Sequence, residues 1–347
     1  MRARRRQELG DGVVSAPLLQ LAGLSVHYAS RTGNPARAVD GVDLHVGEGE
    51  VLALVGESGC GKTTLGRAVI GLERPVAGEV RYRGQPLRFD RAALRSHRGE
   101  VQMVFQDPNG ALNPRQTIYE AVAEGLRIQG KTDGEEARVA EALSISGLRP
   151  PERFFSLYPS EVSGGQRQRV VIAGAMALQP RLLVADEPVS SLDASVRGEI
   201  LALMLRLVRE TGVSILVVTH DLGLAWNIAD RVAVMYLGRI VEEGPTEQML
   251  AAPRHPYTRA LLSVVPEIER VEQQILQGEA PDPRRIPAGC RFHPRCPLVQ
   301  SGEAERLGVA QRCLGEDVGL VQVARSTPGH AAACHALSAP GGMSAST

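Results

Sequence analysis

The run Val51 to Leu65, VLALVGESGCGKTTL, constrains the fold more than any other stretch, because it joins an apolar strand to a glycine loop and a lysine at phosphate-cradling spacing. Gly56, the intervening Glu57, Ser58, Gly59 and Cys60, then Gly61, Lys62 and Thr63 satisfy G-x-x-x-x-G-K-[ST]. In that pattern successive backbone N–H groups converge on phosphate oxygens, and glycine is needed where the chain curls closely round the anion. The segment from Lys62 through Thr64 to about Leu72 reads as a helix whose positive dipole end faces the same phosphates. Lys62 then reaches the outer phosphates of a nucleoside triphosphate, and Thr63 ligates Mg²⁺.

At 347 residues the chain accommodates one large and one small domain. Its 39 basic and 39 acidic residues balance, so bulk electrostatics gives no reason to expect nucleic acid as a partner. The basic cluster Arg2 to Arg6 reads as part of a disordered tail over residues 1–16. No run of 18 apolar residues occurs, and no signal-type apolar core follows the arginine-rich start, so a soluble or membrane-peripheral chain is expected.

Strand-like runs recur at Val101 to Phe105, Leu182 to Ala185, Ser214 to Thr219 and Val232 to Tyr236, with helical patterns between them. This alternation predicts an α/β fold with a parallel sheet covered by helices on both faces. After Gln106 the pattern becomes turn-rich and then helical, near Thr117 to Gln129 and Glu135 to Ser146, which reads as an inserted helical subdomain at about 107–170. Beyond Gly244 proline becomes frequent, and a separate C-terminal module is expected to follow, over 251–347.

Leu182-Leu183-Val184-Ala185-Asp186-Glu187 is an apolar strand ending in two carboxylates, which places acids at the carboxyl edge of a parallel sheet beside bound phosphates. Asp186 suits Mg²⁺ coordination and Glu187 suits polarising an attacking water. Ser163-Gly164-Gly165-Gln166 precedes a helical run from about Gln168 to Leu178 and forms a second helix-end anion site. One triphosphate does not need two such sites unless the second serves a neighbouring subunit.

From Leu18 to Gly244 these residues resemble the ATP-binding-cassette family, whose signature loop, usually Leu-Ser-Gly-Gly-Gln, appears here as Val162 to Gln166. The resemblance implies a P-loop NTPase cassette fold over about 17–250, with ATP and Mg²⁺ as cofactors. It implies roles residue by residue: Tyr28 stacks on adenine, Gln106 meets Mg²⁺ and the attacking water, and Ser191-Leu192-Asp193 communicates across a cassette dimer. His220 is the switch that contacts the γ-phosphate, and Glu187 is the catalytic carboxylate. Two cassettes pair head to tail, with each ATP between the phosphate loop of one and the signature of the other.

Gln106 to Arg115, Tyr158 to Glu161 and the run His255 to Leu261 resemble the ATPases of bacterial oligopeptide and dipeptide importers. Peripheral attachment at the cytoplasmic face of the inner membrane is therefore implied, under permease subunits supplied by an extracytoplasmic solute-binding protein. Nickel or another small solute is the alternative cargo, and a soluble non-transport cassette is the alternative function.

Cys290, Cys296, Cys313 and Cys334 fall in the proline-rich end of the chain, and disulfides are not expected of them. Four thiolates can hold Zn²⁺ or an iron–sulfur cluster, with His293 and His335 as substitute ligands. None of the gaps is the two-residue spacing of common zinc knuckles. The importer resemblance favours a [4Fe-4S] cluster, with zinc or free buried thiols as the alternatives.

Overall fold

Two burial patterns distinguish the strands at the start of the chain in the computed structural model, which describes residues 16–30, 33–190, 192–265, 276, 278–323 and 329–339. Residues 1–15 of the basic tail and Ser191 lie outside these residues. In β1 (Leu19–Tyr28) and β2 (Ala36–Val46) apolar side chains are buried on one face, with Val39, Val42, Leu44 and Val46 pointing inward from β2. That alternation suits an antiparallel sheet packed on one side. β3 (Val51–Val55) is buried at every position, as a strand covered on both faces must be.

β4 (Ala77–Tyr82) and β5 (Gln85–Pro86) complete a four-stranded sheet in the order β2-β1-β4-β5. The remaining strands are β6 (Val101–Val104), β7 (Leu182–Asp186), β8 (Ser214–Thr219), β9 (Arg231–Tyr236), β10 (Arg239–Pro245), β11 (Val321–Gln322) and β12 (Ala331–Ala332). With β3 they form the main sheet, ordered β11-β12-β10-β9-β3-β8-β7-β6. The β9-β3-β8-β7-β6 part is parallel, and β10, β12 and β11 extend it antiparallel.

Helices do not cover both faces alike. On one face Val51, Ala53, Val55 and Val217 pack against Ile172, Ile200, Met204 and Leu207 of the long helices Gly164–Met176 and Ala194–Thr211. On the other, Leu52, Leu54, Val184 and Val218 meet Leu65 and Ala68 of the helix Lys62–Val69 together with Leu21, Val26 and Leu44 of the antiparallel sheet. The expected sheet with helices on both faces is thus corrected: a second sheet shares the cover of one face. Its strands carry the weaker period-two signal beside polar residues and contain no long continuous apolar run.

Between β6 and β7 the helices Ile118–Gln129, Glu135–Ile145 and Gly164–Met176 enclose their own apolar core. Ile118, Val122 and Leu126 recur at four-residue spacing, the stripe a helix buries on one side. Thr117 starts the first of these helices, accepting from Glu120 N at 3.2 Å while its own N–H donates to Glu120 at 2.8 Å.

The described residues after Gly244 pack continuously with the cassette. β12 pairs with β10 through Glu242↔Ala332 and Glu243↔Ala331. Tyr257 of the helix Pro256–Ser263 and Phe292 belong to the same apolar core as β3 and β8. Phe292 lies 5.1 Å from the Tyr236 ring and 5.4 Å from that of Tyr257. Beneath them the fully buried Glu242 pairs with His330 at 2.8 Å and accepts the backbone N–H groups of Arg254 and His255.

Candidate nucleotide-hydrolysis site

β3 delivers the chain at the carboxyl edge of the main sheet, where the loop Gly56–Gly61 turns into the helix Lys62–Val69. Gly61 has φ 112°, and a Cβ there would sit 1.9 Å from the carbonyl oxygen of Ala38. A side chain at Gly56 would meet the Met235 carbonyl oxygen at 2.2 Å, so both ends of the loop are wedged against neighbouring backbone. Lys62 folds back inside: its Nζ donates to the Gly56 carbonyl at 2.8 Å and to that of Glu57 at 2.9 Å. This ammonium is only 5 % exposed and is held by neutral carbonyls. A buried cation without a carboxylate partner is costly, and an anionic phosphate entering the loop offsets that cost.

The next side chain, Thr63, donates from Oγ1 to Asp186 Oδ1 at 3.1 Å. Asp186 ends β7, almost fully buried, and burial pushes its carboxyl above the usual range, opposed by the Thr63 hydrogen bond. A hydroxyl and a carboxylate side by side are hard oxygen donors, the kind Mg²⁺ takes. Gln106 lies two residues past the Val104↔Ala185 pair of the β6–β7 ladder, exposed at the same sheet edge.

Glu187 follows with φ 48°, a left-handed conformation uncommon for a non-glycine residue. Its Oε1 accepts the backbone N–H of His220 at 3.0 Å and lies 2.7 Å from His220 Nδ1. The β7–β8 pairing creates this contact, since it sets the two strand ends side by side. Tyr28 closes the edge, donating from its hydroxyl to Thr64 Oγ1 at 3.3 Å with its ring partly exposed.

The fold therefore brings Tyr28, Gly56 to Thr64, Gln106, Asp186, Glu187 and His220 to one edge. Ser163 to Gln166 sit elsewhere. The helix they begin starts at Gly164, earlier than its apolar pattern indicates, because Ser163 Oγ accepts Gln166 N at 3.2 Å and Gln166 returns the bond to Ser163 N at 2.9 Å. Among the described residues no hydrogen bond or ion pair joins Val162–Gln166 to the phosphate loop. Asp193 precedes the helix Ala194–Thr211 with an exposed side chain that makes no capping bond.

Two contacts on this site come from parts of the chain that motif spacing did not assign to it. Glu57 N–H donates to the Tyr257 hydroxyl at 2.8 Å, and the Glu57 carboxylate takes Arg295 at 2.7 and 3.0 Å. They lie 200 and 238 residues away, and no local pattern signals a pairing at that range.

Cys290, Cys296, Cys313 and Cys334 line one cavity of about 20 Å³ together with His293 and His335. All four are free thiols. Burial pushes Cys290 up to about 11 and Cys334 up to about 12. Among the described residues, however, no group of three or more His, Cys, Asp or Glu side chains is close enough to hold one metal ion. Neither the [4Fe-4S] cluster nor the zinc alternative is therefore supported by the arrangement of the described residues. No helix among the described residues is long and apolar enough to cross a membrane.

The ABC transporter family pattern matches residues 39–190, and that of the oligopeptide/dipeptide transporter C-terminal region matches 241–302. The dipeptide transport ATP-binding protein DppF of Escherichia coli (strain K12) is 43% identical over 295 residues, covering 82% of this chain and 88% of that protein. DppF of Haemophilus influenzae is 44% identical over 293 residues, covering 81% and 89%. Among solved structures, cbiO1 from Clostridium perfringens, described as part of the ABC transporter complex cbiONQ, superposes with TM-score 0.61 at 29% identity over 68% of this chain and 92% of that one. The ATP-binding cassette MJ0796, in a dimeric post-hydrolysis state bound to ADP and Pi, gives TM-score 0.59 at 30% identity, covering 66% and 98%. The chain belongs to the ABC transporter ATPases, in the branch that carries the oligopeptide/dipeptide transporter C-terminal region.

Proposed function

We propose that this chain is the ATP-hydrolysing subunit of a peptide importer and works as one of two cassettes. One observation carries the pairing: the hydrolytic groups gather at one sheet edge, while among the described residues the signature amides make no polar contact with that edge. A second cassette, a homologue or another copy, would bring its signature onto this phosphate loop. Lys62 and the loop amides bind the phosphates of ATP, Tyr28 offers its ring to the adenine, and Glu187 orients the attacking water and takes its proton while His220 holds the carboxylate in place. Thr63, Asp186 and Gln106 would hold Mg²⁺, which when bound neutralises phosphate charge. Ser163 to Gln166 and Asp193 act across the pair.

The peptide cargo is supported by the oligopeptide/dipeptide transporter C-terminal region and by the dipeptide transport proteins named above. Permease subunits in the inner membrane would receive the motion through the helical subdomain, near Gln106 to Tyr119, and a solute-binding protein would deliver the peptide from outside. Co-expression with its permease and reconstitution into vesicles tests this: di- and oligopeptides should stimulate ATP turnover and accumulate. Stimulation by nickel alone, or failure to associate with a permease, overturns it.

The importer resemblance, and not the arrangement of the described residues, carries a second part of the proposal, a [4Fe-4S] cluster held by Cys290, Cys296, Cys313 and Cys334. A cluster takes one thiolate per iron and does not need its ligands to meet at one atom. When bound it would tie together the segments that carry the cysteines. Iron and sulfide at about four each per chain after anaerobic purification are expected; one zinc and no sulfide, or neither metal, sinks this part alone.

A further inference from the structure

Every polar group of Glu57 is engaged. Its carbonyl accepts from Lys62 Nζ at 2.9 Å, its N–H donates to the Tyr257 hydroxyl at 2.8 Å, and its carboxylate receives Arg295 Nη1 at 2.7 Å and Nη2 at 3.0 Å. The Arg295 side chain is 8 % exposed and its guanidinium lies 5.9 Å from the centroid of the Tyr236 ring. Such a fork from a buried guanidinium, on a Glu57 side chain that is 28 % exposed, is among the more directional contacts a protein makes.

Attachment of the C-terminal extension does not require this pair. β12 on β10, the buried Glu242–His330 pair and the Phe292 ring cluster already fasten it. Arg295 and Tyr257 instead act on one residue of the phosphate loop. With glycines at 56, 59 and 61 that loop has much conformational freedom to lose, and any ordering done before ATP arrives is not charged to binding.

We propose that Arg295, assisted by Tyr257, is a positioning residue for ATP binding: the C-terminal extension braces the phosphate loop through Glu57 and sets its affinity for nucleotide. The proposal rests on Gly56 to Thr64 being the ATP loop, and Lys62→Ala tests that separately by abolishing ATP binding. In the full chain, equilibrium binding of Mg·ATP to Arg295→Ala should be about tenfold weaker, the worth of one charge-assisted pair. In the assembled transporter KM for ATP should rise by a similar factor while kcat changes less than about twofold, because the contact orders the loop and does not touch the reacting atoms. Arg295→Lys, which keeps the charge without the fork, should fall between. Glu57→Gln should match Arg295→Ala, and the double variant should be no worse than either. A folded Arg295→Ala with unchanged ATP affinity, or two single effects that add, overturns the proposal while leaving the loop assignment standing. If Arg295→Ala does not fold, Glu57→Gln weakens the same ion pair from the loop side and Tyr257→Phe removes the extension's other hydrogen bond to Glu57, and unchanged affinity in both overturns it equally.

Discussion

Replacing Glu187 by Gln separates chemistry from architecture at this site. The carboxylate is 12 % exposed, and its Oε1 serves two neighbours in His220, the backbone N–H at 3.0 Å and Nδ1 at 2.7 Å. A glutamine presents an amide oxygen at the same reach, so both hydrogen bonds survive, and the left-handed φ of 48° is no more strained than before. Folding stability should therefore move by no more than about 0.5 kcal/mol, within the range of substitutions that break no contact. The basic oxygen, by contrast, is lost. Without a group to take the water's proton, kcat should fall by about 10²- to 10⁴-fold while ATP remains bound, which stabilises the two-cassette form. Thermal melting, steady-state phosphate release and size-exclusion chromatography with and without Mg·ATP read the three quantities independently. Undiminished steady-state hydrolysis in a folded variant would refute the assignment of Glu187, and a large fall in melting temperature would refute the claim that His220 binds an acceptor and not a charge.

Asp186→Asn should melt higher than the native chain at neutral pH yet lose at least about a hundredfold in Mg²⁺-dependent hydrolysis. Burial raises the folded carboxyl's pKa, so its ionisation costs stability as pH rises through the folded value, and asparagine removes that cost while still accepting from Thr63. Burial holds the pKa of His255 down at about 4 from its ordinary 6.5, with Glu242 opposing the shift and Arg259 adding to it. Its neutral ring supports the fold fully above pH 6.5, and that support fades as pH falls towards 4, by about 2 kcal/mol at pH 5. Melting curves should show the slope, and His255→Gln should flatten it. Phe292→Ala removes a ring buried to 1 % between Tyr236 and Tyr257 and should cost about 3–5 kcal/mol. Calorimetry should give one transition shifted as a whole; a cassette peak that stays put would mean that the extension unfolds by itself.

What the linear order of residues determined is the chemistry that neighbours can carry between them. Gly56 to Thr64 states its function locally, because the loop's own amides, its glycines and the following helix end make the phosphate cradle. Leu182 to Glu187 likewise declares a buried strand ending in acids, and Ser163 with Gln166 forms a capping box within four residues. The alternation of apolar strands and helices was legible for the same reason, each element's period being set by its own backbone geometry. Only the tertiary structure decided the contacts that span long loops: Thr63 on Asp186, Glu187 on His220, and Arg295 with Tyr257 on Glu57. It also decided that the antiparallel sheet shares a face with the helix Lys62–Val69 and that the C-terminal extension joins the main sheet and core. Such pairings depend on strand order and on which buried faces meet, and these follow from the packing of the whole chain, where residues far apart in sequence compete for the same apolar surface.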